Sequence, residues 1–398
     1  MIKTPKANRL HIGIFGKRNS GKSSLINAIT GQEMALVSDL AGTTTDPVYK
    51  AMELLPIGPV TMIDTAGFDD EGVVGELRVK KSREVLDKTD IALVVFSPED
   101  DEFSYEEEWL CQFKKRKIPV IGVLNKLDLL EKDLKEYEEK FNIPFVSVSA
   151  KEDRNIDELK KVIIRNSPSD YEMQYIARDL VGSKALVLLV APQDIQAPKG
   201  RLILPQVQTI RDLLDGDAMV LTVKLTELED SLKVLSGKPD LVITDSQVFE
   251  KVNEILDEDV PLTSFSILMA RFKGDLEQLV EGAQQIDNLK DGDKVLIAEA
   301  CTHHALKGDI GREKLPNWLK ERTGAELDVQ INAGCDFVED LSQFKLIIHC
   351  GACMFNRKQM ITRIEKAREC GIPITNYGVA IAHMKGMLQR VMKAMKSK

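Results

Sequence analysis

Aromatic residues are scarce: Phe, Trp and Tyr make up 5% of the 398 residues, and only two are tryptophan. A chain this poor in rings, with no interleaving of rings and basic residues, offers little for stacking on exposed bases. Long hydrophobic runs are missing too. The longest apolar stretch, residues 185–191, falls far short of the ~20 residues a membrane span needs. The opening MIKTPKANRLHIGIFGK has no uninterrupted apolar segment followed by a small-residue cleavage site, so a cytoplasmic protein with no membrane partner is expected. Cysteine is almost absent from the first three quarters. After Cys111 none occurs until Cys301, Cys335, Cys350, Cys353 and Cys370, and four of the five histidines share that last quarter. In a cytoplasmic setting such clustering argues for metal or redox chemistry over a disulfide framework.

What is present fits a globular chain: 43% of residues are hydrophobic and 29% charged. The length suggests two or three domains. Residues 51–350 carry 37 Lys and Arg against 58 Asp and Glu, whereas residues 351–398 carry ten against two. The acidic middle argues against a nucleic-acid surface spread along the chain. The basic tail reads as a solvated helical face, with docking on an acidic surface as the alternative.

From Leu10 to about Ser167, short β-branched runs alternate with charged stretches of helical length. The runs HIGIFG, VTMIDT, IALVVF, VIGVLN and FVSVSA read as buried parallel strands, with VYKAMELL and PVTMID as one antiparallel pair. The pattern breaks near Asn166-Ser167-Pro168-Ser169. A second alternating region reads ALVLLVA, AMVLTV, DLVITD and LTSFSI as strands, with helices at Gln206–Leu214, Leu228–Leu235 and Ser246–Leu256. A third starts near Phe272-Lys273-Gly274: a helix over Asp275–Ile286, strands KVLIAEA, ELDVQIN and KLIIH, then helices Asn356–Cys370 and Tyr377–Ala394. The expected fold class is α/β, a doubly wound P-loop sheet followed by two smaller α/β domains with mostly parallel sheets. The expected domains are 1–168, 169–268 and 269–398.

Gly16-Lys17-Arg18-Asn19-Ser20-Gly21-Lys22-Ser23 fits G-x-x-x-x-G-K-[ST] between a strand and the helix starting near Ser24. Its glycines let backbone N–H groups wrap phosphate oxygens at a helix N-terminus. Lys22 is expected on the β- and γ-phosphates and Ser23 on Mg²⁺. Asp64-Thr65-Ala66-Gly67 ends the next buried strand, where Asp64 faces Mg²⁺ and Gly67 senses the γ-phosphate. Asn125-Lys126-Leu127-Asp128 ends a later strand, and its Asp128 carboxylate can accept from guanine N1–H and the 2-amino group together. Ser149-Ala150-Lys151 closes the set, with the Ala150 amide placed for the guanine oxygen. Four motifs in order at strand ends define a GTP site along one sheet edge.

Over residues 10–167 the chain resembles translation-factor-like GTPases of the tRNA-modification and Era-like branch. Asn19 matches the position that marks potassium-activated members, and Ala41-Gly42-Thr43-Thr44-Thr45-Asp46 looks like their switch I, with Thr44 on Mg²⁺. Thr45 stands where those relatives often carry arginine, and Phe68 stands where Ras-like proteins carry a water-orienting glutamine. Phenylalanine cannot hydrogen-bond that water, so slow unaided hydrolysis with K⁺ supplying charge at Asn19 is expected.

Cys301-Thr302-His303-His304 follows KVLIAEA, and His349-Cys350-Gly351-Ala352-Cys353 follows KLIIH. If those strands are parallel, both motifs emerge at one sheet edge. Thiolates at this spacing suit Zn²⁺ or an iron–sulfur cluster, with a thioredoxin-like redox pair as the alternative. His303 and His349 are ligand or supporting candidates, Cys335 stands in reserve, and Cys111 and Cys370 are expected to be buried small hydrophobes. A GTPase region, an α/β region and C-x-H…H-C-x-x-C together resemble the [FeFe]-hydrogenase maturation GTPases, the HydF family. Ile374-Thr375-Asn376-Tyr377-Gly378 looks like a further segment of that family. The resemblance implies a [4Fe–4S] cluster on Cys301, Cys350 and Cys353. It leaves the fourth iron site to a histidine, another oxygen or nitrogen ligand, or an exogenous one. It also implies a homodimer that receives a transient di-iron precursor bearing CO and cyanide, built with radical-SAM maturation enzymes, and delivers it to the apo-[FeFe]-hydrogenase. The competing expectation is an RNA-modification or ribosome-assembly GTPase with a structural zinc site, and a third is a redox-sensing switch GTPase.

Overall fold

Buried strands separated by a dozen or more residues cannot close as hairpins. They pair in parallel and use helices as crossovers. A computed structural model describes residues 5–31, 47–67, 81–168, 175–191, 202–300, 309–334, 337–338 and 340–395. It divides into two units, Met1–Met173 and Gln174–Lys398.

The first unit holds strands β1 (Leu10–Gly16), β2 (Val48–Leu54), β3 (Gly58–Asp64), β4 (Ile91–Phe96), β5 (Val120–Leu124) and β6 (Phe145–Ser147). Their order is β2-β3-β1-β4-β5-β6, parallel throughout except for antiparallel β2–β3. Helices α1 (Lys22–Thr30), α2 (Ser104–Lys115), α3 (Leu134–Phe141) and α4 (Ile156–Arg165) supply crossovers. Every residue of β1 and β4 is buried, as the continuous apolar runs predict for central parallel strands. The few aromatic rings are concentrated here: Phe15, Phe96, Trp109, Phe113, Tyr137 and Phe145 form one cluster. On α2, Glu106, Trp109 and Phe113 face inward at helical spacing. Cys111 lies off that stripe and is exposed, so the expectation of a buried thiol fails there.

The second unit holds two four-stranded sheets. β7 (Leu186–Val190), β8 (Met219–Val223), β9 (Leu241–Thr244) and β10 (Leu262–Ser264) run in parallel in the order β10-β9-β7-β8. Helices α5 (Leu204–Asp215), α6 (Leu228–Val234), α7 (Phe249–Ile255) and α8 (Phe265–Lys273) accompany them. The expected strand LTSFSI stops early. Ser264 accepts the Ile267 N–H at 3.3 Å and starts α8 as its cap, so the cap overrides the β-branched run. β11 (Lys294–Glu299), β12 (Asp328–Ala333), β13 (Leu346–His349) and β14 (Ile374–Asn376) form the other parallel sheet, in the order β12-β11-β13-β14.

Around that sheet lie α9 (Leu276–Gln284), α10 (Leu315–Thr323), α11 (Arg357–Glu369), α12 (Tyr377–Met384) and α13 (Leu388–Lys393). The helix expected over Tyr377–Ala394 is therefore two. Gly386 takes φ +71° between them, and the Met387 N–H reaches the Ala382 carbonyl at 2.8 Å. Cys370 caps the end of α11 in solvent and is exposed, again correcting the expectation of burial. One core serves both sheets, joining Leu188, Val242 and Ile267 with Leu296, Ile347 and Ile364. Among the described residues no helix is long and apolar enough to cross a membrane.

His11, 6% exposed in β1, sets a pH limit on the first unit. Its ring nitrogens lie 3.2 Å from the Lys88 carbonyl and 3.1 Å from the Lys6 carbonyl. Burial pushes the imidazole down to about 4, against the pull of those carbonyls. Below pH ~6.5 the unfolded histidine takes a proton that the folded one refuses, so stability falls as pH falls toward 4. Between pH 7 and 5 the wild type should lose about 2 kcal/mol more than a His11→Gln variant, read by urea denaturation at each pH.

Candidate functional site: a phosphate loop and a thiol turn

The register of the first sheet aligns the carboxyl ends of its parallel strands. Ile14 lies opposite Asp64, Gly16 opposite Val95, Phe96 opposite Leu124, and Leu124 opposite Ser147. The phosphate loop therefore shares one edge with Asp64-Thr65-Ala66-Gly67, Asn125-Lys126-Leu127-Asp128 and Ser149-Ala150-Lys151. The loop's shape depends on residues that only glycine can supply. Gly21 takes φ +93°, and a Cβ there would collide with Asn125 Nδ2. That Asn125 amide donates to the Ser20 carbonyl at 3.0 Å and accepts from the Ala150 N–H at 3.1 Å. One side chain thus ties the phosphate loop to the segment expected at the guanine. Asn19, at φ +59°, is exposed at the loop's tip, and Ser24 is exposed on the first turn of α1.

Lys22 opens α1 and is buried, with Nζ 3.0 Å from the Gly16 carbonyl and 2.6 Å from the Lys17 carbonyl. Ser23 Oγ donates to Asp64 Oδ2 at 2.7 Å. Burial pushes the Asp64 carboxyl up, opposed by the Ser23 hydroxyl and the Lys22 charge. Among the described residues its buried Oδ1 has no hydrogen-bond partner. An orphaned, desolvated carboxylate oxygen beside a serine hydroxyl at a phosphate loop has the donor chemistry that Mg²⁺ takes. At the base-reading end, Ser149 Oγ donates to Asp128 Oδ1 at 2.6 Å, which holds the carboxyl below its usual range. Lys126 pairs with Glu99 at 2.8 Å. Thr44, the rest of switch I and Phe68 lie outside the described residues.

Sequence reasoning missed the hold on Lys17. Its ammonium contacts the Glu102 carbonyl and lies 3.7 Å from Glu106, a carboxylate with no exposed surface. Glu106 carried no signal, because it stands among three consecutive glutamates.

The second cluster of candidates gathers on the sheet of β11–β14. Ala298 lies opposite His349 and Glu299 opposite Ala333, so the ends of β13, β11 and β12 align. The Cys350 N–H donates to the Ala298 carbonyl at 2.8 Å, and the Gly334 N–H to the Glu299 carbonyl at 3.0 Å. Cys301, His303, His304 and Cys335 lie outside the described residues, but Cys301 follows Ala300 directly and Cys335 follows Gly334. Among the described residues no group of three His, Cys, Asp or Glu is placed to hold a metal ion.

Cys350 is half-buried and its Sγ accepts the Ala300 N–H at 3.1 Å, while Cys353 is exposed. Between them Ala352 takes φ +50°, a left-handed conformation costing alanine roughly 1–2 kcal/mol. His349 is fully buried. Its Nδ1 lies 2.9 Å from the Cys350 carbonyl and its Nε2 2.8 Å from Arg363. A guanidinium donating to Nε2 fixes the neutral imidazole with the proton on Nδ1, and burial with the Arg363 charge pushes its pKa down to about 3.

Sequence reasoning also missed the cations and the carboxylate here. Arg363, 4% exposed, also donates to the Gly334 carbonyl at 3.2 Å and lies over the rings of Phe337 and Phe355. Lys273, likewise 4% exposed, reaches the carbonyls of Ala352, Cys353 and Phe355. Burial pulls Lys273 down to about 8, opposed by the thiols of Cys353 and Cys350. Glu299, 1% exposed, pairs with Arg312 at 3.2 Å and accepts from the Tyr377 hydroxyl at 3.4 Å.

These features define a P-loop GTPase fold extended by two parallel α/β sheets. Family models agree segment by segment. Residues 11–126 match "50S ribosome-binding GTPase", 176–274 "Hydrogen maturase F dimerization domain", and 277–394 "Hydrogen maturase F tetramerization domain". The chain belongs to the hydrogen maturase F family.

Its first part is similar to GTPase Der of Wolinella succinogenes, at 37% identity over 169 residues, covering 40% of this chain and 36% of that protein. It is similar also to the tRNA modification GTPase MnmE of Heliobacterium modesticaldum, at 37% over 166 residues, covering 41% and 35%. The chain thus spans about a third of the length of these curated relatives. Among solved structures, Era in complex with MgGDPNP and a 16S ribosomal RNA fragment aligns at TM-score 0.37 and 20% identity, covering 56% of this chain and 93% of that one. The G domain of the T. maritima FeoB iron transporter aligns at 0.33 and 21%, covering 40% and 98%.

Gly21→Ala adds both a left-handed strain and a collision with Asn125, each worth roughly 1–2 kcal/mol. Affinity for GTP should fall by about thirtyfold to several hundredfold in equilibrium titration with a fluorescent analogue, with the circular dichroism spectrum retained.

Proposed function

We propose that this protein is a GTP-hydrolysing scaffold that carries a [4Fe–4S] cluster in [FeFe]-hydrogenase maturation. The observation that carries the reading is the parallel β11–β13 register. It brings Ala300 and Cys350, far apart in sequence, to one sheet edge, and Cys301 is the residue after Ala300 in a chain of this family. Cys301, Cys350 and Cys353 hold the cluster, and three thiolates leave one iron open to exchange ligands, as loading and unloading require. The Ala300 N–H already donates to Cys350 Sγ, the kind of bond that stabilises a metal-bound thiolate. With both nitrogens of His349 engaged, that residue supports the turn and leaves the fourth position to another ligand, His303 among them. The cargo is a di-iron precursor bearing CO and cyanide, received from radical-SAM maturation enzymes and passed to the apo-hydrogenase by a homodimer or larger oligomer.

In the GTPase, Lys22 holds the β- and γ-phosphates, Gly67 senses the γ-phosphate, and Asn125, Lys126, Asp128, Ser149, Ala150 and Lys151 hold guanine. Ser23, Asp64 and Thr44 would hold Mg²⁺, which would supply positive charge for the transferred phosphoryl group. Phe68 offers no hydrogen bond to the attacking water, and Asn19 holds K⁺ in compensation. Ordering of the switch segments around GTP shifts the oligomer or partner interface.

Anaerobic reconstitution should give brown protein with broad visible absorption that Cys350→Ser or Cys353→Ser abolishes. Colourless protein with one tightly bound zinc per chain overturns the cluster reading in favour of a ribosome-assembly or RNA-modification GTPase. Turnover should be at least several-fold faster in potassium than in sodium buffer, and equal rates sink the role assigned to Asn19.

A further inference from the structure

Lys273 ends α8, a helix that starts directly from β10 of the other sheet in its unit. Its Nζ lies 3.0 Å from the Ala352 carbonyl, 3.3 Å from that of Cys353 and 3.0 Å from that of Phe355. Three N–H donors meet three acceptors, and all three acceptors belong to the turn that carries the thiols. Without that ammonium, three inward carbonyls would lose their common donor and the left-handed Ala352 its support. Beside it a cavity of about 10 Å³, the space of one water, is bounded by Lys273, Cys350, Gly351, Ala352, Met360 and Asn376. A buried ammonium is an expensive way to fill space that a methionine would fill by packing alone. The charge itself is therefore in use. The Arg363 guanidinium holds His349, the residue before Cys350, and Gly334, so a second buried cation braces the start of the turn.

We propose that Lys273 is a positioning residue for the cluster: its ammonium clamps the Cys350–Cys353 turn in the form that presents both thiols together, and sets one positive charge beside the anionic iron–sulfur group. The proposal rests on the cluster reading above. A fixed positive charge near a cluster stabilises its more negative, reduced state, so removing the charge disfavours reduction.

The full-length protein is compared with K273M and K273R. In metal-free protein, amide hydrogen exchange over residues 350–356 should be at least tenfold faster in K273M, and K273R should exchange near the wild-type rate. After anaerobic reconstitution, the cluster of K273M should have a reduction equilibrium constant about tenfold smaller, about 59 mV more negative for one electron, and K273R should restore it. Should K273M fail to fold, K273Q, which keeps donors without charge, carries the comparison of potentials. A wild-type cluster whose potential is unchanged in K273M overturns the proposal alone, whether or not exchange quickens. Wild-type protein that takes up no iron overturns the cluster reading, and the proposal with it.

Discussion

Parallel strand pairing is the constraint from which both candidate sites follow. A parallel pair cannot be closed by a tight turn, so each strand must open at its carboxyl end into a loop leading to a crossover. Those loops accumulate along one sheet edge, and chemistry distant in sequence becomes adjacent there. In the first unit the edge collects four nucleotide motifs from Gly16 to Lys151. In the second it collects the strand ends at Ala300, Gly334 and Cys350. The antiparallel strand β2 lies at the rim with most of its residues at least partly exposed, and it carries none of the motifs.

Buried cations are the second shared device, and backbone carbonyls make them tolerable. An ammonium taken out of water costs several kcal/mol unless its donors are met. Lys22 meets the carbonyls of Gly16 and Lys17, and Lys273 meets three carbonyls of the thiol turn. Arg363 meets the Gly334 carbonyl and the lone pair of His349. Carbonyls that curl toward a cation are fixed in direction, so the same contacts that lower the cost of burial also define the loop. A neutral side chain of equal size would pack there without orienting anything.

The nucleotide site was legible because its motifs are local. A phosphate loop is eight consecutive residues, and strand–loop–helix context follows from periodicity. The thiols were legible for a different reason, since six cysteines in 398 residues leave little background. Their supports were not. Arg363 is one of several cations on a basic helix, and nothing in sequence separates it from the solvated Arg368. Lys273 closes an apolar helix as an ordinary helix-terminal lysine would. β14 was not foreseen, because three residues are too few for a period. The extent of LTSFSI was misjudged because a serine cap outweighs a β-branched run, and Gly386 split a helix that its composition alone would have continued. Cys111 and Cys370 show the converse error: cysteine type predicts burial, but helix phase and a capping position decide it.

The expected domain division at 268 and 269 falls inside α8, whereas the two hydrogen maturase matches meet between 274 and 277, at the end of that helix. The difference has physical content. Phe265, Leu268 and Met269 pack into the core of the first of the two sheets, Ile267 and Ala270 belong to the core shared by both, and Lys273 reaches the thiol turn. A helix packed into the core of one sheet and into the core shared with the other, and bonded at its tip to the thiol turn, transmits strain between them, because packed cores do not deform continuously. The geometry of the Cys350–Cys353 turn is therefore a property of both sheets together. Neither can be repacked, or joined to a second copy through a surface that moves α8, without the turn feeling it.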